Sequence, residues 1–454
     1  MTDEFDRVDV VTCFLRHDAE VLLFRRSDEV GSYAGRWGAV AGHAEGDPRA
    51  ATREEIREET GLDPDADVAL VRAGDPFTVE DADRGTRWVV HPFLFDADTR
   101  DVETNYETSE YEWTAPTEIL RRETVPDLWK SYDRVRPDVE AVAADHEHGS
   151  AYLSLRALEV LRDEAALISE RGVDDEGEAW QTLRTIAERL REVRPAMPVV
   201  ANRVNRAMAA ASEDATAATE RAAAPEGGAP EQAAALERAA TAELDRALAA
   251  DDEAAALAAE RLRAATRDAA GSPDGSPTVA TLSRSGTVHG ALERAAPEEV
   301  VVAESRPGRE GVATAESLAE ATGAAVTVTT DAAFPGHVVD AEVDALLVGA
   351  DAVLPDGRVV NKVGTRAAAA VAADEAVACY AVAATDKVAR ADGFDPEPRD
   401  DTEVYDGDAA LDVANPTFEA TPAALFDAVL TEAGALDADD LREVADAHRD
   451  RADW

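Results

Sequence analysis

"LLVGADAVLPDGRVVNKVGT", residues 346–365, begins as an unbroken apolar run and turns within a few residues to small and charged side chains. An apolar run without alternation, of strand length, fits a strand buried on both faces. Beyond it, Asn361 and Lys362 precede a helix that Gly364 and Thr365 open. Working outward, "TVATLS", "EVVVAES", "AVTVTT" and "AVACYAVAAT" repeat the pattern between residues 278 and 385, with helical segments between them. That rhythm predicts a doubly wound α/β parallel sheet with helices on both faces. Ligands of such sheets bind at the carboxyl ends of the strands.

The side chains at those ends suit a phosphate. In "TLSRSGTV" (281–288), Ser283, Ser285, Gly286 and Thr287 offer hydroxyls and amides at a helix N-terminus. In "ESRPGREG" (304–311), Arg306 offers a two-pronged guanidinium. Together with "GAD…NKVGT" and "NPTFEATPAALFDAVLTEAG" (415–434), these stretches resemble the family of initiation factor 2B regulatory subunits. That family also holds the ribose-1,5-bisphosphate and methylthioribose-1-phosphate isomerases. The resemblance covers about residues 149–440, including "RPAMPVVANRVN", where Arg194 aligns with a phosphate-contacting arginine of the isomerases. It implies a Rossmann-like fold, a phosphorylated sugar or nucleotide as ligand, and a homo-oligomer, a dimer or higher. Asp351 matches the aspartate that moves protons in the isomerases, and Ser283 stands where they carry a cysteine. A hydroxyl is a far poorer acid and base near neutral pH than a thiol. A sugar-phosphate isomerase with a modified site and a non-enzymatic regulator of translation initiation are both compatible with the resemblance.

Near the other end, "REEIREETGL" (53–62) places Glu55, Glu58 and Glu59 at i, i+3 and i+4, on one helical face. Like charges so spaced repel, so a cation is expected against them, and Mg²⁺ is the hard ion that oxygen ligands suit. Asp47 is placed to cap this helix and Pro48 to occupy its first position. The preceding loop, "RWGAVAGHAEG", can bring backbone amides to a pyrophosphate, with Gly42 allowing close approach. Residues 8–27 read as two strands around "RHDAE"; "DVALVRA" and "RWVVHPFLFDA" are further strands, and "YEWTAPTEIL" turns into a helix. "EIREETGL" resembles the Nudix box, and the resemblance covers roughly residues 5–140. It implies an α+β Nudix sandwich with Mg²⁺ (or Mn²⁺) held by Glu55, Glu58 and Glu59, and hydrolysis of a nucleoside diphosphate derivative. Two supporting positions depart from the pattern: Glu54 replaces the usual arginine, and a shortened loop puts Gly46 where an earlier glutamate belongs.

The middle of the chain is helical by period, as in "SAYLSLRALEVLRDEAALIS" and "AWQTLRTIAERLREV". A break rich in Pro, Gly and Ala lies near 224–232. The expected organisation is a Nudix-like domain over 1–148, a helical bundle over 149–275 and a Rossmann-like domain over 276–454, with "HEHG" (146–149) at the first junction.

Composition sets the outer bounds. Asp and Glu number 95 against 45 Lys and Arg, and the lysines are only Lys130, Lys362 and Lys387. Such a chain looks like a halophile's, in which salt screens surface carboxylates. No basic patch supports general nucleic-acid binding. Cys13 and Cys379 sit far apart inside apolar runs and read as buried thiols. No signal peptide or membrane-spanning run is visible, so a soluble cytoplasmic protein is expected. In a chain that otherwise uses arginine, Lys362 inside its motif suggests a need for a compact ammonium.

Overall fold

The computed structural model describes residues 5–171, 176–222, 229–270 and 276–454. Two compact units divide the chain: Met1–Asp138 with Arg162–Glu176, and Val139–Leu161 with Gly177–Trp454.

In the amino-terminal unit, the strand Asp6–His17 runs parallel to Thr86–Ala97, paired from Asp6↔Thr86 to Arg16↔Asp96. Glu20–Arg26 and Val40–His43 pair antiparallel with the same strand. Successive side chains of a strand face opposite ways, and here both faces are covered. Val11, Cys13, Phe93 and Phe95 meet Ala51 and Ile56 of the helix Pro48–Thr60. Phe14, Leu23 and Leu94 meet Leu128, Trp129 and Tyr132 on the other side. The helix ends where its sequence says it should. Asp47 accepts from the Arg49 amide at 3.1 Å, Pro48 is the first helical residue, and Gly61 closes it at φ +74°. "YEWTAPTEIL" divides between the strand Thr108–Thr114 and a 3₁₀ turn, Pro116–Leu120. The strand Phe77–Asp81, with Phe77 and Val79 buried and Thr78 between them exposed, escapes sequence reading because only two of its residues are buried and its end is acidic.

In the carboxyl-terminal unit the seven-stranded sheet runs Ala325–Thr329, Glu299–Ala303, Thr278–Leu282, Ala345–Gly349, Ala378–Val382, Ala428–Thr431, Gly434–Leu436. All neighbours are parallel except the last pair. The chain enters at Thr278–Leu282, moves outward twice, then returns to the other side of that strand at Ala345–Gly349. Strand order therefore reverses between these two strands, which opens a crevice at their carboxyl ends. A three-stranded sheet, Ala352–Val353, Val359–Lys362 and Phe418–Thr421, grows out beside the crevice.

The alanine-rich stretch is one helix, Ala229–Ala270. Its Ala254, Ala255, Ala258 and Ala259 share a core with Val279 and Val300 of the sheet and with Val288 and Ala291 of the helix Gly286–Ala295, so small side chains let it lie close. The proposed break at 224–232 lies largely outside the described residues, as does "GSPDG" at 271–275. Both cysteines are free and buried, and burial pushes the Cys379 thiol up to about 12. Among the described residues no helix is long and apolar enough to cross a membrane.

Candidate functional sites

The amino-terminal site is built by the pairing of Val40–His43 with Asp6–His17, which sets Ala41 and Gly42 under the helix Pro48–Thr60. Glu59 is buried, and its Oε1 accepts from the Ala41 amide at 3.2 Å. Glu55 lies flat on Gly42: a β-carbon there would stand 1.7 Å from Glu55 Oε1. Glu58 is exposed at the helix surface. Glu55 and Glu58 line a cleft of about 800 Å³, with Gly42, Arg26 and Glu107 also on its wall.

Burial raises the Glu55 carboxyl to about 7, helped by Glu58, Glu107 and Glu54. Burial raises Glu59 to about 8; Glu55 and Glu107 add to it, while the Ala41 amide and Arg26 oppose it. These carboxylates are thus poorly compensated in their charged form, which is the condition a hard cation relieves. Among the described residues no three His, Cys, Asp or Glu side chains are already gathered as a cage. Glu107, in the turn before Thr108–Thr114, was not foreseen; it is about fifty residues away in sequence and faces the helix only through the sheet. Gly42→Ala will push aside the flexible end of Glu55 and is expected to cost about 1 kcal/mol of stability, read by denaturant unfolding at constant salt.

The second site lies in the crevice at the order reversal, as two adjoining chambers that share Asp351, Arg284, His148 and Gly149. One, about 380 Å³, is walled by two helix starts: Gly149 and Ser150, and Ser285 and Gly286, with Asn361 and Lys387. Ser285 caps its helix, accepting from the Val288 amide at 3.4 Å. The other, about 370 Å³, contains Ser283, Arg194, Lys362, Glu310, Glu397 and Arg399. Here Lys362 Nζ donates to Glu310 Oε1 at 2.8 Å, and Arg194 to Glu397 at 2.8 Å. Arg399 grips Glu403 with two bonds of 2.7 Å.

Asp351 stands between the chambers. Burial pushes its carboxyl up, against the pull of Lys387, Lys362 and Arg194. Lys387 Nζ donates to the Ala350 carbonyl at 2.7 Å, and burial lowers its hold on a proton. Ser283 takes a left-handed backbone, φ +63°. Its amide donates to Ser305 Oγ at 2.7 Å, and its carbonyl accepts from Thr314 Oγ1 at 3.0 Å.

Of the residues singled out from sequence, Asp351, Arg194, Ser283, Ser285, Gly286, Asn361 and Lys362 all reach these chambers. Arg306 does not: it is exposed, and its amide is spent on Asp331 at 2.6 Å. His146 and His148, read from sequence as mere junction, line the crevice. Glu310, Glu397, Arg399 and Glu403 were missed. Lys387 had a usable signal, being one of three lysines in the chain.

Comparison with known proteins agrees with this division. Residues 6–135 match the NUDIX domain, and residues 146–438 match the Initiation factor 2 subunit family. The second match takes in more than half of the chain, so the protein belongs to the Initiation factor 2 subunit family, with a NUDIX domain at its amino-terminal end. It is similar to the ribose 1,5-bisphosphate isomerase of Haloferax volcanii, 39% identical over 156 residues, covering 32% of this chain and 47% of that one. It is also similar to the methylthioribose-1-phosphate isomerase of Syntrophotalea carbinolica, 29% identical over 170 residues, covering 35% of this chain and 49% of that one. The chain thus spans about half the length of the curated relatives it matches. Among solved structures, the translation initiation factor eIF-2B of Pyrococcus horikoshii superposes with a TM-score of 0.51 at 22% identity, over 66% of this chain and 94% of that one. The 5-methylthioribose 1-phosphate isomerase of the same organism gives 0.52 at 18%, over 75% and 89%. At these identities the likeness is one of fold.

Proposed function

We propose that the amino-terminal unit is a divalent-cation-dependent hydrolase of a nucleoside diphosphate derivative, and that the carboxyl-terminal unit binds a phosphorylated sugar or nucleotide. The observation that carries the first half is the pair Glu55 and Glu59, which burial and neighbouring carboxylates hold up at about 7 and about 8, with Glu55 on the wall of a cleft. Glu55, Glu58 and Glu59 would hold Mg²⁺ or Mn²⁺, with Glu107 close by. When bound, the ion supplies charge neutralisation at the diphosphate and a water of lowered pKa. The chain's own contribution is positional. Gly42 lets Glu55 lie against the strand, the Ala41 amide fixes Glu59, and Arg26 offers a cation to the cleft.

Phosphate release from a panel of nucleoside diphosphate derivatives, with Mg²⁺ in high salt, tests this reading. Glu58→Gln is expected to lower the rate by about 100-fold. Equal turnover in Glu58→Gln, or none in either protein, removes the hydrolase reading and leaves a binding module.

In the carboxyl-terminal unit the supporting observation is the convergence of two helix starts with Lys387 and Asn361 at the order reversal. Aldose–ketose isomerisation is the second reading, favoured by Asp351, whose carboxyl is pushed up inside the crevice. Production of a ketose phosphate that disappears in Asp351→Asn is its test.

A further inference from the structure

Conversion of an aldose phosphate into a ketose phosphate moves protons on carbon and protons on oxygen, which takes two acid–base groups. Asp351, between the two chambers, is one of them. The hydroxyl of Ser283 is too weak an acid and base near neutral pH to be the other. Most remaining ionisable groups on the walls are committed. Lys362 holds Glu310, Arg194 holds Glu397 and Arg399 holds Glu403, at 2.8, 2.8 and 2.7 Å. Lys387 is spent on the Ala350 carbonyl at 2.7 Å. His289 lies between Ser317 and Glu293, at 2.9 and 3.5 Å.

His148 differs. It lines both chambers, as Asp351 does. Its Nδ1 donates to Asp145 Oδ2 at 2.8 Å. Asp145 is itself fixed, because its Oδ1 accepts from the amides of Glu147 and His148 at 2.9 and 3.0 Å. Burial opposes charge on Asp145, but the His148 ring and these amides outweigh it and hold the carboxyl down at about 2. An ionised carboxylate has no proton to give, so Nδ1 carries one and the tautomer of the ring is set. The ring also stacks on Tyr152, with centroids 4.1 Å apart and planes 16° apart. One nitrogen and one face are thus occupied. Nε2 is left, with no partner among the described residues. A histidine held through one nitrogen by a carboxylate, with the other nitrogen open to a cavity, is built as a general acid and base. His146, on the same wall, is exposed and has no such anchor.

We propose that His148, oriented by Asp145, is the second catalytic residue of the crevice and exchanges protons with the sugar oxygens while Asp351 exchanges them with carbon. This rests on the isomerase reading above. With a ring-form sugar 1-phosphate, the imidazolium gives its Nε2 proton to the ring oxygen as the bond from C1 to that oxygen breaks. Asp351 takes the proton from C2, and the electron pair left behind forms the C1–C2 double bond. Asp351 then returns its proton to C1. Nε2 takes the proton of the C2 hydroxyl, and that oxygen becomes the ketone. Each group gives one proton and takes one, so both end as they began.

The test is ketose phosphate formation from ribose 1,5-bisphosphate by the full chain in high salt, without divalent cation. His148→Ala is expected to lower kcat by about 100-fold and to leave KM within about threefold. Added imidazole is expected to raise the rate of His148→Ala by about tenfold or more, and to leave Asp351→Asn where it is. His148→Asn, whose amide keeps a donor for Asp145, is expected to lose as much as His148→Ala while unfolding at the same denaturant midpoint as the unaltered chain. A rate within about twofold of the unaltered chain in both His148 variants overturns the assignment and leaves the isomerase reading standing. A loss that sits in KM, or that imidazole does not restore, overturns it too, because the ring then holds the sugar or the backbone and moves no proton. No ketose phosphate from the unaltered chain overturns the isomerase reading itself, and the assignment with it.

Discussion

Asp386→Ala will destabilise the carboxyl-terminal unit by about 3–5 kcal/mol, because it strips the shared counter-ion from a buried cluster of arginines. Asp386 is fully buried. Arg203 donates to it at 3.0 Å, Arg206 at 2.6 Å, and Arg246 reaches the same carboxylate. Arg203 and Arg206 lie on the helix Pro198–Ala222 and Arg246 on Ala229–Ala270, so one carboxylate ties two helices to the turn Thr385–Lys387. Denaturant unfolding of the full chain at constant salt measures the loss. A loss below about 1 kcal/mol would show that Asp251 and Glu243, which also pair with these arginines, compensate them without Asp386. The cluster also fixes a pH dependence. Burial opposes ionisation of Asp386, but the three arginines outweigh it and hold the carboxyl far below its ordinary range. The unfolded chain therefore binds the proton first as pH falls, so this stabilisation is complete above the usual aspartate pKa and drains away below it. Acid unfolding should begin as pH drops below about 4, and Asp386→Asn should flatten it.

Gly311→Ala is expected to cost about 3 kcal/mol, from overpacking against a rigid partner. Gly311 is the second residue of the helix Glu310–Thr322. A β-carbon there would stand 1.8 Å from the Ala303 carbonyl oxygen. That oxygen is backbone at the end of a central strand, so it cannot swing aside as a long side chain can. Alanine's better helix propensity returns at most about 1 kcal/mol, which the clash outweighs. The same step shifts Glu310, so the Lys362–Glu310 bond of 2.8 Å should loosen with it. The midpoint of denaturant unfolding reads the stability loss; an unchanged midpoint would mean that the helix slides away from the strand without cost.

Local chemistry made much of this molecule legible from sequence. Asp47, Pro48 and Gly61 mark their helix because caps act within a turn. The sheet strands declare themselves by apolar runs, and their order places Ser283 and Asp351 on neighbouring strand ends. What stayed hidden is set by distant pairing. Glu397, Arg399 and Glu403 come from an irregular stretch with no period to read, and they matter only because they meet Arg194 and Lys362. Glu107 reaches Glu55 and Glu59 across a sheet that sequence does not draw. Arg306 looked right by position, yet the turn that follows Ser305 sends it outward.

The main chain of Ser283 is moored on both sides, to Ser305 and to Thr314, while its terminal oxygen takes no part in either mooring. Exchanging that one oxygen for sulfur would leave the scaffold as it is and put a nucleophile into the crevice. The exchange would alter the chemistry of one atom on the crevice wall and nothing in the two hydrogen bonds that hold the backbone beneath it.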